Sequence, residues 1–386
     1  MKHSIFFLTL FLTFQTSAQV LERVSPETLG VDAQRLQLAD EIINQSITDG
    51  EIPGAVLAVV HRNKMVYLKA FGNKQVYPST VAMSESTIFD LASVTKPIVG
   101  GISAMILVEQ GKLRLTDRVS LYIPEFQDNI RVVDLLTHTS GLLSYPPVAQ
   151  LVEKYGANSA DSLIRFVANS PRRFEPRTNV AYSCNNLVVL QRIIEIVSGQ
   201  NLRDFTQEHI FDVLGMNNTD FAPTGEMLER TAPTIKLGEG EVLRGIVHDP
   251  LAQRLLGGIS GNAGLFSNAD DLAILSVALL NGGAYNGKRI LSPQGVKTMI
   301  TVPQNVAEFG RALGWDVSST FASNQGDLLS ASAFGHTGYT GTSLVIDPEL
   351  DLAIILLTNR VHPYDTGNIA ALRARVANVV ASAVVE

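Results

Sequence analysis

The chain has 386 residues, 46% of them hydrophobic and 17% charged, with a formal net charge of −7. That is enough for one large domain or two closely packed ones, and an acidic chain without a basic stripe is not built to bind nucleic acid. Its single cysteine, Cys184, excludes an internal disulfide and a structural zinc site of several cysteines, so stability must come from the core.

The chain opens with Lys2 and His3, an apolar run from Ile5 to Phe14, and then Thr16-Ser17-Ala18. A basic end, a short apolar core and small residues at a cut are the layout of a secretory signal peptide over residues 1–18. The protein is therefore expected to be exported, periplasmic or secreted. No cysteine stands at the cut, so no lipid anchor is expected. The run is too short to span a bilayer, and no later segment reads as a span.

From Val31 to Thr48, Leu36, Ala39, Ile43 and Ile47 recur at helical spacing, and Gly50 ends the pattern. Ala55–Val60 and Met65–Ala70 read as two strands of a hairpin joined at Asn63-Lys64. The first is apolar on both faces, which places it inside a sheet covered on each side. Next comes Leu91-Ala92-Ser93-Val94-Thr95-Lys96-Pro97, followed by a run from Ile98 to Val108 that is apolar almost all round. This predicts a buried helix whose first turn begins close to Ser93, with Pro97 where a missing N–H costs nothing.

Between about Asp117 and Asn281 the texture changes to short helices and polar turns, with clear helical stretches at Asp161–Ala168, Asn185–Val197 and Ala269–Leu280. Strands resume at Thr342–Asp347 and Leu352–Thr358 around the turn Pro348-Glu349, and a helix from Asn368 to Val384 closes the chain. The expected fold mixes helix and sheet: an antiparallel sheet built from both chain ends, helices on both faces, and an inserted, mainly helical region.

Three segments carry chemistry. Ser93 and Lys96 lie three residues apart, hence on one helical face. A lysine held there, desolvated and near the positive helix end, can be kept partly neutral and take the serine proton. Tyr182-Ser183-Cys184 opens a helix, and a phenol whose proton affinity a lysine lowers can relay protons. His336-Thr337-Gly338-Tyr339 has small residues that let a substrate lie along a strand edge and present an N–H to an oxyanion. Two other features are read as structural. His138 sits in a corner that it is expected to fix by hydrogen bonds. The glycines from Gly257 to Gly264 lack the lysine and preceding strand of a phosphate loop.

In this order, Ser-x-x-Lys, Tyr-Ser-x and His-Thr-Gly resemble the serine hydrolases of the class C β-lactamase and DD-peptidase type. Leu135-Leu-Thr-His138-Thr-Ser-Gly141, Gly264-Leu-Phe-Ser267 and the tract from Asp347 to Arg360 are similar to segments of that family. The resemblance implies a β-lactamase/transpeptidase-like fold in one domain over residues 19–386, with the helical insert at about 117–281, and no cofactor or metal. It also implies that Ser93 becomes acylated while Lys96 and Tyr182 move protons. The N–H groups of Ser93 and Tyr339 would form the oxyanion hole, with His336, Thr337, Gly338 and Cys184 lining the substrate. Two positions depart from the pattern: Cys184 stands where asparagine or aspartate is usual, and His336 where class C β-lactamases carry lysine. The departure at His336 favours an esterase or DD-peptidase on a small ester, amide or D-amino-acid peptide. The tract from Val247 to Ser267 is similar to members associated with cell-wall amino-sugar hydrolases, which points to peptidoglycan-derived fragments. A β-lactamase and a catalytically silent penicillin-binding scaffold are the alternatives. A Ser-His-Asp hydrolase lacks its Gly-x-Ser-x-Gly elbow, and a metallohydrolase lacks His-Glu-x-x-His.

Overall fold

The computed structural model describes residues 21–385, so the expected signal over residues 1–18 lies outside the described residues. The sheet has six antiparallel strands: β1 (Gly54–His61), β2 (Lys64–Gln75), β3 (Val81–Ala82), β4 (Phe334–Thr337), β5 (Ser343–Asp347) and β6 (Leu352–Thr358). Their order is β4-β5-β6-β1-β2-β3. The two chain ends meet at the centre, where β1 pairs with β6 and Leu57 faces Leu356. The β1–β2 turn falls one residue earlier than expected, on Arg62 and Asn63, both at positive φ (47° and 64°). That is the backbone a two-residue hairpin needs to match the strand twist.

Every residue of β1 is buried, and successive side chains serve opposite cores. Leu57 and Val59 join Val345, Ile354 and Leu356 against α1 (Ala33–Thr48) and the closing helix Ala370–Ala383, through Leu36, Ala39, Ile43, Leu372, Val376 and Val380. Val56, Ala58 and Val60 face the other way, with Ile355 and Leu357, into the larger core built with the helical region. The expected helices within that region appear at Ala160–Asn169, Cys184–Ser198 and Ala269–Leu280.

The segment that carries Ser93 is not a uniform helix. A tight 3₁₀ turn at Ala92–Val94 leads into a wide i→i+5 stretch at Lys96–Gly101, and only then into α-helix at Ile102–Glu109. Such widened turns cluster at functional sites. Gly101 is required there, since a Cβ would come within 2.9 Å of the Leu313 carbonyl oxygen. One expectation is corrected here. Ala92–Glu109 is long and apolar enough to cross a membrane by length and composition, but 83% of it is buried inside the fold. It is apolar all round because it is core.

Leu57 is fully buried at the join of the two chain ends. Leu57→Ala is expected to cost about 2–5 kcal/mol of stability, measured by denaturant unfolding. A loss well under 1 kcal/mol would contradict the central place given to this strand.

Candidate active site

The turn before Ser93 is strained. Ala92 has φ 45°, and its N–H is held by Asp90 Oδ1 at 2.9 Å. One turn on, Lys96 is completely buried, and its Nζ donates to Ser93 Oγ at 2.8 Å and to the Asn262 carbonyl at 2.7 Å. The glycine cluster is thus no phosphate loop; its backbone closes over the lysine. Asn262 is fixed in turn by Ser260 Oγ, which donates to its Oδ1 at 2.5 Å, and by Asp249 Oδ1, which accepts from its Nδ2 at 3.2 Å.

Tyr182 lies beside this pair, with its ring centroid 4.9 Å from Lys96 Nζ. His138, at φ 59°, brackets it. The His138 carbonyl accepts Ala181 N–H at 3.0 Å, its Nδ1 accepts Ser183 N–H at 3.1 Å, and its ring lies 4.6 Å from that of Tyr182. Asn186 Nδ2 also reaches Nδ1 at 2.9 Å, so the ring proton resides on Nε2. Burial holds His138 well below the usual histidine range, and it stays neutral.

The protonation expected for Lys96 and Tyr182 is corrected. Burial acts to lower the Lys96 ammonium, but the acidic Cys184 and Tyr182 beside it act the other way, and the net displacement is upward. Burial pushes the Tyr182 phenol up against the pull of Lys96, and likewise raises the Cys184 thiol. Each of the three groups therefore holds its proton more tightly than it would in water.

The third segment is tied to the nucleophile turn. Thr340 Oγ1 donates to Asp90 O at 2.7 Å and Thr342 Oγ1 to Leu91 O at 2.8 Å. Gly338 permits this approach, because a Cβ would lie 2.4 Å from Leu91 O. His336 Nδ1 donates to Thr337 O at 2.8 Å, and burial drives its pKa down to about 3. The backbone N–H groups of Ser93 and Tyr339 have no hydrogen-bond partner among the described residues.

Two cavities meet at Ser93. One, of about 600 Å³, is lined by Tyr182, His336, Thr337, Gly338, Tyr339 and Arg373. The other, of about 490 Å³, is lined by Cys184, Tyr145, His248, Asp249, Tyr182 and Tyr339. All eight residues expected at the site are thereby brought together. Sequence reasoning missed Asn262, Arg373 and Arg311. Arg373, in the closing helix, donates through Nη2 to Gly338 O at 2.7 Å and Thr342 O at 3.0 Å, and burial lowers its pKa to about 10. Arg311 is fully buried, paired with Asp316, and its Cζ is 5.7 Å from the Tyr182 ring centroid. Both read in sequence as ordinary charged residues, and only the long-range fold brings them here.

Lys96→Ala is expected to lower kcat on any substrate turned over by about 10² or more. Lys96→Arg should be nearly as damaging, because a guanidinium does not give up its proton at working pH. Unchanged turnover in either variant, read beside a circular-dichroism check of folding, would remove Lys96 from the chemistry.

The comparisons with known proteins agree with this geometry. A family model described as Beta-lactamase matches residues 39–378. An Escherichia coli (strain K12) protein named as a candidate D-alanyl-D-alanine carboxypeptidase is 33% identical, over 94% of this chain and 92% of its own. An N-acetylmuramyl-L-alanine amidase of Bacillus subtilis (strain 168) is also 33% identical, over 90% of this chain and 86% of its own. Among solved structures, EstCE1, a hydrolase with promiscuous acyltransferase activity, superposes with a TM-score of 0.72 at 25% identity, covering 92% of this chain and 99% of its own. A penicillin-binding protein homolog from Caulobacter crescentus shares the fold with a TM-score of 0.70 at 19% identity, over 92% and 99% of the two chains. With a serine behind a strained turn, a buried lysine and a tyrosine set on this fold, the chain belongs to the Beta-lactamase family and is a serine hydrolase of the β-lactamase fold.

Proposed function

We propose that the protein is an exported hydrolase that works through an acyl-enzyme on Ser93, on short carboxylate-ended peptides derived from the cell wall, with simple esters as surrogate substrates. The observation that carries this reading is the 2.8 Å bond between Ser93 and a fully buried Lys96, at the junction of two cavities. Names among the relatives, a candidate D-alanyl-D-alanine carboxypeptidase and a muramyl-alanine amidase, supply the cell-wall direction. The basic-apolar-small layout of residues 1–18 supplies export.

In this reading Ser93 Oγ bonds to the substrate carbonyl carbon, and its proton passes to the Lys96–Tyr182 couple. The oxyanion is received by the N–H groups of Ser93 and Tyr339, which the fold leaves uncommitted. The C–N bond then breaks, the couple returns the proton to the departing amine, and water displaces the acyl group from Ser93. Both members of the couple are pushed up, so the competent form, which has lost one proton, grows in population as pH rises. For a neutral ester, kcat/KM is therefore expected to climb from neutral into mildly alkaline solution. Cys184 fills space beside the acyl group; its raised thiol is no competitor for Ser93. The intact Ser93–Lys96 bond disfavours a silent scaffold.

Arg373 makes the leaving-group side specific. It lines the larger cavity, forms no ion pair with a carboxylate among the described residues, and has an Nε with no partner there. A D-Ala-D-Ala peptide should then be cleaved well and its C-terminal amide poorly. Arg373→Met also loses the bonds to Gly338 O and Thr342 O, so ester hydrolysis is the control for that loss, and KM for the acid should rise about tenfold or more beyond any change seen with the ester. Equal cleavage of acid and amide would refute the carboxylate reading. Loss of all hydrolysis in Ser93→Ala is required by the whole scheme.

His336 sets the response to penicillin. A histidine with pKa about 3 is neutral at every working pH and gives no fixed charge to a β-lactam carboxylate. Mass spectrometry after mixing with penicillin is expected to find at most a partial adduct, confined to the peptide containing Ser93. Cephalosporin hydrolysis with kcat/KM above roughly 10⁵ M⁻¹s⁻¹ would instead mark a dedicated β-lactamase.

A further inference from the structure

A tyrosine that passes protons in a buried site needs a positive charge that stays in place when its own proton leaves. Charged and titratable groups face Tyr182 from every element packed around it. They are Lys96 on the nucleophile helix, Cys184 at the start of the helix that follows Tyr182, His138 after the Val132–Leu136 helix, His336 on β4, and the Arg311–Asp316 pair ahead of β4. Lys96 exchanges protons with the substrate, and both histidines are neutral. Only Arg311 keeps its charge throughout.

We propose that Arg311 is the fixed positive charge of this site, a positioning residue that acts through Tyr182 by stabilising its phenolate from behind the ring. The inference rests on the role given to Tyr182 above. Arg311 has no exposure to water, and its Cζ lies 5.7 Å from the Tyr182 ring centroid, within reach of a cation–π contact. It is not consumed by its ion pair: Nη1 meets Asp316, whereas Nε and Nη2 have no partner among the described residues. Asp316 exchanges two backbone hydrogen bonds of 2.9 Å with Gly335, next to His336, and its carboxylate also accepts from Ser319 Oγ at 2.5 Å. In keeping with that, Asp316 outweighs Arg311 in its effect on His336, while Arg311 is the leading charge acting on His138, whose ring lies against Tyr182. The guanidinium is the member of the pair that lies over the Tyr182 ring. A ring bearing a phenolate is more negative than one bearing a phenol, so the contact strengthens as the proton departs, which is the differential interaction that lowers a barrier.

Arg311→Met alone would strand Asp316 as a buried unpaired carboxylate, so the informative variant is Arg311→Met with Asp316→Asn. Tyr182 is titrated through tyrosinate absorbance, as the difference between each protein and the same protein carrying Tyr182→Phe. The pH dependence of kcat/KM is measured in parallel with p-nitrophenyl butyrate. In the double variant, the Tyr182 midpoint and the rising limb of the rate profile are expected to move up together by about one pH unit. Arg311→Lys should hold both near the wild-type position. Asp316→Asn alone, which leaves Arg311 unopposed, should move both down, and this test stands if the double variant does not fold. An unmoved Tyr182 midpoint in the double variant, or no downward movement in Asp316→Asn, overturns the proposal. So does a fall in activity with an unshifted profile, which would make Arg311 a structural residue. Failure of the Tyr182 role itself would look different: Tyr182→Phe would keep its full ester turnover.

Discussion

An ammonium group sealed from water stands at the centre of this molecule, and much of the surrounding structure follows from holding it there. Removing such a charge from water costs several kcal/mol unless hydrogen bonds replace its hydration. Lys96 finds two of them, the Ser93 hydroxyl and the Asn262 carbonyl. The second partner explains a stretch of sequence that otherwise lacks purpose. Glycines let the backbone of residues 257–264 fold tightly, with Gly258 at φ 87° and Gly264 at φ 114°. Ser260, Asn262 and Asp249 then lock that backbone, so one carbonyl points inward.

Two histidines flank the tyrosine, both neutral yet in opposite tautomers. His138 has its proton on Nε2, because two donors occupy Nδ1, and His336 has its proton on Nδ1, because a carbonyl accepts it. Burial moves both titrations well below the usual histidine range, so neither adds to that of the catalytic couple near neutral pH. Both act through shape and hydrogen-bond direction. His138 does so most clearly, gripping the chain on each side of Tyr182.

Much of this was legible in the sequence. Alternation and helical periodicity located β1, β6, α1 and the Ser93 helix because burial on a strand or a helix leaves a regular pattern. Ser93, Lys96 and Tyr182 were found because their order and local context are distinctive. What escaped was whatever depends on distance through space. Arg311 and Arg373 carry no local signature, and their placement is set by loops and a helix far along the chain. The direction of the shifts at Lys96 and Tyr182 was misjudged for a related reason. The sequence placed a phenol and a thiol at the site, but not how deeply they and the lysine are buried together. The apolar stretch Ala92–Glu109 posed the converse problem, since composition cannot tell a protein interior from a lipid one.

The pairing of β1 with β6 has a consequence for how the chain comes to fold. On one edge residues 55–61 pair with β2 close by, but on the other their partners are residues 352–358, about 300 residues later. The β1–β2 hairpin can form early, but a two-stranded ribbon has little stability in water by itself. The sheet therefore cannot close until residues 352–358 have been made, and contacts of such long sequence separation form slowly. A polypeptide emerging from the ribosome remains without its central strand pair until residues 352–358 are made, and until then the apolar faces of residues 55–61 have no completed sheet to join.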